Sequence, residues 1–462
     1  MTAPTGTQPL GAPALADLQP RVRGRVLLPG SEGFAAAATP WNVAVAQRPA
    51  AVVEVADASD VVEVVRFCGV HGLRVSAQPG GHGATEALSG TVLLRTGALD
   101  EVWVDADARV ARVGAGVKWG ALLESLAGTG LIALAGSNPD VSVVGYLLGG
   151  GLSWFSRRYG VAARSLRAVE LVDGTGTHRW VTEESDPDLM WALRGGGGEF
   201  GIVTRVEVAL QDEPELHGGK LMFPISDAPS VLAAFTEVTA GAPSGLTCWA
   251  TLMHFPDVAG LPEPVRGKSF ATVDVTWLGP AEQAEAFLAP LRAAGTVVSD
   301  SFAAVPIDRL GEVAAEPTSP TPAIDWSAVL ARFDARGITR LLDAVGDPGR
   351  TALNVIQIRH LGGALKVPSE GIGGATDTVG GDYLVFAFGI PAVPELVEPI
   401  RGSIQTLAAA CAPDVSGRGT LTFLGSGMPR SSVHDDAVVD RLRAVKGRVD
   451  PYGIICGNHP LD

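Results

Sequence analysis

"RGGGGEFGIVTRVEV" runs from Arg194 to Val208, and within it Gly196, Gly198 and Gly201 satisfy the spacing GxGxxG. That spacing marks a dinucleotide-binding unit only when a strand precedes it and a helix follows, because the pyrophosphate must rest on the helix N-terminus. Here the order is reversed. The preceding "DPDLMWALR" (186–194) reads as helix, and the following β-branched run "GIVTRVEV" (201–208) reads as strand. The triplet is a decoy, so the glycines belong to some other fold.

Four glycine-rich stretches lie in the first 201 residues: Gly80 to Gly83, Gly114 to Gly116, Gly149 to Gly151 and Gly195 to Gly201. Glycine lets consecutive backbone N–H groups turn toward a ligand, and such a nest suits an anion such as a pyrophosphate. Any one of them alone reads as an ordinary sheet turn. Four between short strands point to a nucleotide cofactor. The first, "AQPGGHGATE" (77–86), sets His82 among three glycines, with almost no other side chain near it in sequence.

The rest of the chain sets the frame. At 462 residues two domains are expected. Apolar residues at 46% against 18% charged fit a globular protein, with disorder expected only in the Pro/Ala/Thr-rich first 20 or so residues. A formal charge of −15 opposes phosphate backbones and anionic bilayers, so no nucleic-acid or membrane partner is expected. No apolar run approaches bilayer length and no leader pattern opens the chain, which predicts a cytoplasmic protein. Cys68, Cys248, Cys411 and Cys456 are too scattered for a disulfide framework and are expected as buried thiols. Isolated histidines without HxH or HExxH spacing predict no metal site, and the lack of GxSxG removes a foothold for hydrolase chemistry.

Periodicity gives an α+β pattern. "DASDVVEVVRFCGVHG" reads as a helix capped by Ser59 or Asp60 with Val61, Val64, Val65 and Cys68 inward; a strand then ends at Pro79. "RSLRAVELVDGTGTHRWV" is a hairpin turning at Gly174 to Thr177. Past residue 213 the strands "LTCWATLMHF", "SFATVDVTWLG", "TALNVIQIRHLGGAL" and "DYLVFAFGI" alternate with helical stretches, predicting a second domain with a large sheet covered by helices on one side. "DDAVVDRLRAVKGRVDPYG" is a closing amphipathic helix with Val438, Leu442 and Val445 on one stripe, ended by Asp450-Pro451.

Five segments occur together in order: "AQPGGHGAT", "VGAGVKWGAL", "AGSNPDVSVVGYLLGGGLSWFSRRYG", "DPDLMWALRGGGGEFGIVT" and "VDPYGIICGNHPL". With them the chain resembles the FAD-linked oxidases of the vanillyl-alcohol-oxidase superfamily, in the berberine-bridge-enzyme-like branch, from about Val45 to the C-terminus. The resemblance implies a two-lobed FAD-binding domain plus a substrate domain with a large, mainly antiparallel sheet. The boundaries it suggests are an arm and start of the FAD domain at 1–44, the FAD-binding domain at 45–213, a substrate-binding domain at 214–425, and a tail at 426–462 returning to the FAD domain.

For the cofactor, the resemblance implies that Pro79, Gly80, Gly81, Gly83 and Ala84 cradle the pyrophosphate. It further implies that Gly136, Ser137, Asn138, Val141, Gly145, Leu148, Gly149, Tyr159, Val203 and Asn458 line the remainder of the FAD site. His82 falls where the branch commonly bonds a histidine to the flavin 8α-methyl carbon, which raises the flavin's reduction potential. Some relatives add a cysteine link where this chain has Asn138, so a single covalent bond is expected. Val141 stands at the family's oxygen gate and favours O2 as electron acceptor. Departures are Arg164-Ser165 for a usual Asp-Asn, and Glu199 and Thr422 for frequent asparagines near the flavin or substrate.

Hydride transfer to a flavin also needs a base. On the strand "NVIQIRH" the alternation separates Asn354, Ile356, Ile358 and His360 from Val355, Gln357 and Arg359. Gln357 and Arg359 are the candidates for polar contacts beside the flavin, with Tyr383 as another candidate for catalysis. Trp249, Phe255, Trp277 and Phe388 predict an apolar, aromatic pocket. The expected activity is an FAD-dependent oxidase of secondary metabolism acting on a small aromatic or polyketide-like molecule, as a monomer or homodimer. The alternatives are a redox-neutral flavin-dependent cyclisation or elimination, and a flavin-dependent drug-binding resistance protein.

Overall fold

"AVVEV" (51–55) and "TVLLRT" (91–96) are apolar without alternation, the pattern of strands covered on both faces. In the computed structural model, which describes residues 12–213, 215–258, 260–425 and 427–461, they form the centre of the first sheet. Its order is Arg25–Leu27, Ala51–Glu54, Val92–Arg95, Val75–Ala77, with the last three parallel. The parallel pairs require crossovers, and the helix Ala58–His71 supplies one, burying Val61, Val64, Val65, Phe67 and Cys68. Its cap is Asp57, which accepts from the Ser59 and Asp60 amides, so the cap lies two or three residues before the expected Ser59 or Asp60. Asp60 is instead buried and accepts from the amides of Arg23, Gly24 and Ala56 at 2.8–2.9 Å. Residues 1–11 of the N-terminal arm lie outside the described residues. From there on the expected disorder is overturned, since Ala12–Ala16 is helical and Leu15 and Leu18 enter the first core.

A second sheet, antiparallel throughout, has the order Val102–Asp105, Val110–Gly114, Ile202–Ala209, Leu166–Val172, His178–Thr182. The hairpin turns where expected, with the Gly176 amide donating to the Asp173 carbonyl at 2.9 Å. The segment Arg194–Val208 joins the helix Pro187–Leu193 to the strand Ile202–Ala209, so the helix-then-strand order rules out a Rossmann crossover.

The third sheet has the order Ser299–Asp300, Leu216–Pro224, Ser269–Leu278, Leu246–His254, Val355–His360, Tyr383–Gly389, Ile324–Leu330, and every pairing is antiparallel. Ala228–Ala240, Ala281–Arg292, Ala335–Val345 and Val397–Cys411 pack on one face, closing a core with Ala250, Leu252, Val273, Ile356, Ile358 and Val385. The other face looks back at the glycine loops. The helix Asp436–Val449 then lays Leu442 and Val445 against the second-sheet core. Beyond it Ile454 and Ile455 enter the first core, and the Val75 amide donates to the Ile454 carbonyl at 2.8 Å. All four cysteines are buried and unpaired. Among the described residues no helix is long and apolar enough to cross a membrane.

Candidate functional site

The loop after the strand Val75–Ala77 is shaped from below. Trp41 and Asn42 amides donate to the Gly80 and Gly81 carbonyls at 3.0 and 3.3 Å. Gly81 has φ +96°, and a Cβ there would lie 2.8 Å from Pro40 Cβ, so only glycine fits. At Gly83 the same atom would meet nothing within 4 Å, so that position opens onto free space. His82 stacks on Trp41 with ring centroids 4.1 Å apart. Its Nε2 makes no hydrogen bond and lies 3.6 Å from Asp140, whose other oxygen takes a bond from Lys118. Burial pushes the His82 pKa down to about 4, outweighing the pull of Asp140, so the ring is neutral near pH 7.

Three further segments close on this loop. Asn138 donates to the Pro317 carbonyl at 2.9 Å while its Oδ1 accepts from the Asp140 amide at 2.8 Å. In the otherwise buried helix Val143–Leu148, Gly145 is exposed, and Val141 is half-buried. A Cβ at Gly136 would lie 3.1 Å from the Tyr146 ring, and one at Gly149 would come within 2.8 Å of the Thr422 methyl. Ser137, Leu148 and Val203 are buried beside them. The Gly197 amide donates to the Leu148 carbonyl at 2.9 Å, and Gly198, like Gly83, would present a Cβ to open space. From the C-terminus, the Asn458 carbonyl accepts from Thr85 Oγ1 at 2.5 Å. Loops at 78–84, 136–149, 196–203 and 457–461 therefore surround one space.

The chemistry of that space can be tested against a dinucleotide. Both side-chain polar atoms of Gln78, Asn458 Oδ1, His82 Nε2 and the Tyr146 hydroxyl are buried and without a partner. Buried polar atoms without partners are costly, so several around one glycine-lined space fit a ligand rich in oxygens and nitrogens. The residues present fit FAD.

Other sequence expectations land elsewhere. The Tyr159 hydroxyl donates to Glu213, also held by Arg158 at 3.1 Å, so the phenol is committed to that acidic partner and away from the glycine loops. Tyr383 is paired opposite His360, on the helix-covered face, and its hydroxyl shares a 2.7 Å bond with Thr239. It is a core tyrosine, and its candidacy for catalysis fails because the sheet lies between it and the cofactor space. Trp277 is on that same face, packed on Phe287, and leaves the pocket lining. Glu199 does not face a ligand either: its carboxylate accepts from the Leu461 amide at 2.7 Å and fastens the tail. Arg164 donates to the Asp377 carbonyl at 2.7 Å and pins the 364–377 segment.

Gln357 and Arg359 do share the face that looks toward the glycine loops. Arg359 Nε donates to Gln357 Oε1 at 2.5 Å, and Gln357 Nε2 donates to Thr251 at 3.2 Å. The same face carries Trp249, stacked on Trp154 at 3.5 Å, and Phe386, edge-on to Phe423. Asp325 was not singled out in the sequence. It sits opposite Phe388 on this face, and burial raises its pKa to about 6. Lone carboxyls at a strand start look like surface residues in a sequence; here residues 321–323 are tied to Trp41 and Asn42 just before Asp325, and a Cβ at Gly425 would lie 3.4 Å from its carboxylate.

Residues 49–182 match the model of a family described as an FAD binding domain. Among curated proteins, the chain is 33% identical over 297 residues to an (R)-6-hydroxynicotine oxidase of Paenarthrobacter nicotinovorans, covering 64% of each chain. It is 39% identical over 204 residues to an FAD-dependent monooxygenase of Fusarium proliferatum, covering 43% of this chain and 40% of that one. These sequence matches thus span less than two thirds of the relatives' lengths. The fold match is wider. A 6-hydroxy-D-nicotine oxidase crystal structure from Arthrobacter nicotinovorans superposes with TM-score 0.81 and 25% identity over 96% of this chain and 98% of that one. A Physcomitrella patens berberine-bridge-enzyme-like protein gives TM-score 0.82 at 18% identity, covering 97% and 99%.

Proposed function

We propose that this chain, similar to the FAD-linked oxidases of the vanillyl-alcohol-oxidase superfamily and their berberine-bridge-enzyme-like branch, oxidises a small, aromatic or polyketide-like molecule and passes the electrons to O2. The observation that carries the reading is the cradle: glycine positions 83 and 198 open onto space ringed by partnerless Gln78, Asn458 and Tyr146 atoms. When bound there, FAD supplies acceptance of a hydride.

The protein's own residues do the rest. His82, neutral and with Nε2 unbonded, is available to join the flavin 8α carbon as the single covalent link, since Asn138 offers no thiol. Were FAD anchored there, His82 would give up its N–H and the flavin methyl a C–H for the new C–N bond, and dioxygen would be the two-electron oxidant that this exchange requires. Trp41 holds the imidazole flat for that reaction. Asp325, with its raised proton affinity, takes the proton that leaves the substrate with the hydride. Phe386, Phe388 and Phe423 give the site its aromatic wall, and Gln357 with Arg359 orient the substrate's polar group.

Acid precipitation of the purified protein and mass measurement of the His82 peptide test the reading. The pellet stays yellow and the peptide carries the flavin mass in the wild type, whereas H82A releases the colour. An unmodified peptide removes the covalent link, and a colourless native protein removes the cofactor. Product formed from a phenolic or quinol substrate without oxygen uptake removes the oxidase.

A further inference from the structure

Arg359 lies near the centre of the large sheet and is 5% exposed. Its guanidinium is held between rings, 3.8 Å from the Trp249 centroid and 4.7 Å from that of Phe423. Only Nε is hydrogen-bonded, to Gln357; the two terminal nitrogens find no acceptor among the described residues. The other cation on this face is satisfied, since Lys220 Nζ sits 3.0 Å from Asp274 and 3.1 Å from the Ala314 carbonyl. Burial lowers the Arg359 pKa only to about 10, so it stays charged near neutrality.

The carboxylate within ion-pair reach is Glu316, at 4.0 Å, too far for a hydrogen bond. Its side chain is one-third exposed. It follows Ala315, a non-glycine residue at φ +52°, a strained backbone of the kind found beside functional groups. It precedes Pro317, whose carbonyl is tied to Asn138 on the flavin side. A desolvated fork with free donors, faced by a loosely placed acid on a strained turn, is a receptor for an incoming anion.

We propose that Arg359 binds an anionic oxygen of the substrate, a carboxylate or phenolate on a flat aromatic frame, and that Glu316 holds that place until the substrate arrives. This names the substrate class for the oxidase reading above and rests on it. Phe386 and Phe423 flank the fork and fit the frame, while Nη1 and Nη2 take the oxygen in the bidentate geometry a guanidinium favours.

The test is calorimetric titration of the flavin-loaded protein, its flavin content measured first, with benzoate, phenylacetate and the neutral isostere benzamide. Benzoate is expected to bind about tenfold or more tighter than benzamide. R359Q is expected to lose about that factor for benzoate and leave benzamide unaltered, with R359K retaining part of it. E316Q removes the competing charge and is expected to tighten benzoate. Should R359Q fail to fold, E316Q and the benzoate–benzamide ratio decide. The assignment is overturned if neither anion binds, if benzamide binds as well as benzoate, or if E316Q weakens benzoate. A protein without flavin that still shows the charge preference fails the oxidase reading and keeps this one.

Discussion

Lowering the pH from about 7.5 to about 5 is expected to remove on the order of 4 kcal/mol of stability through two histidines, His360 and His434. Both are buried, at 6% and 1% exposure. The imidazole of His360 lies 2.7 Å from the Arg157 guanidinium, and His434 Nε2 lies 3.0 Å from Thr376 with Arg430 close by. Desolvation and the neighbouring cations push their pKa values down to about 2 and about 3. A folded pKa below the unfolded value of roughly 6.5 means that only the unfolded chain takes up the proton as pH falls. The stability from the neutral rings is therefore complete above about pH 6.5 and is lost below it, at about 1.4 kcal/mol per pH unit for each ring. At pH 5 that is about 2 kcal/mol each, a large share of a typical total of roughly 5–15 kcal/mol. Thr376, which His434 holds, donates to the Gly195 carbonyl at 3.0 Å at the start of the glycine loop Gly195–Gly201, and that contact persists in the folded protein at about pH 5 because the ring there stays neutral. The assay is the urea midpoint of the holoprotein at about pH 7.5, 6 and 5, for wild type and H434Q, since the slope with pH counts the buried neutral rings. H434Q is expected to lose about 2 kcal/mol less than the wild type over that range, the share of its one ring. An equal pH slope in both proteins, or a flat wild-type profile, would refute the argument.

Two glycines separate backbone need from ligand need. G81A is expected to cost about 1–2 kcal/mol for a left-handed alanine and about 1–3 more for the contact with Pro40, lowering both melting temperature and flavin content. G83A meets no protein atom, so its apoprotein should melt as the wild type does while its flavin content falls. Asp325 must be ionised to accept a proton, so kcat/KM is expected to rise with pH through about 6 and level off above it. D325N should lower kcat and abolish that limb; a retained limb assigns it to another group.

The difference between what could and could not be read from the sequence has a physical pattern. Backbone requirements are written locally. Gly81 and Gly83, the hairpin at Gly174–Thr177, and the helix-then-strand order around Gly196 to Gly201 follow from residue type and spacing, and the structure repeats them. Alternation likewise separated Gln357 and Arg359 from Ile356 and Ile358, because a strand has only two faces. What spacing cannot carry is which face meets helices and which meets a ligand. Tyr383 and Trp277 look like site residues in the sequence because aromatic chemistry is the same on either side of a sheet. Thr239 and Phe287, from helices crossing the back of that sheet, decide their placement. Tyr159 and Glu199 fail for the complementary reason. Their partners, Glu213 and the Leu461 amide, lie 54 and 262 positions away in sequence. Arg359 belongs to both groups: its face was legible, but its unfilled donors exist only because Trp249 and Phe423 close over it and Glu316 stops at 4.0 Å. Residues whose role depends on what their partners leave unsatisfied are thus the ones a sequence hides, and in this chain they gather at the substrate side of the site.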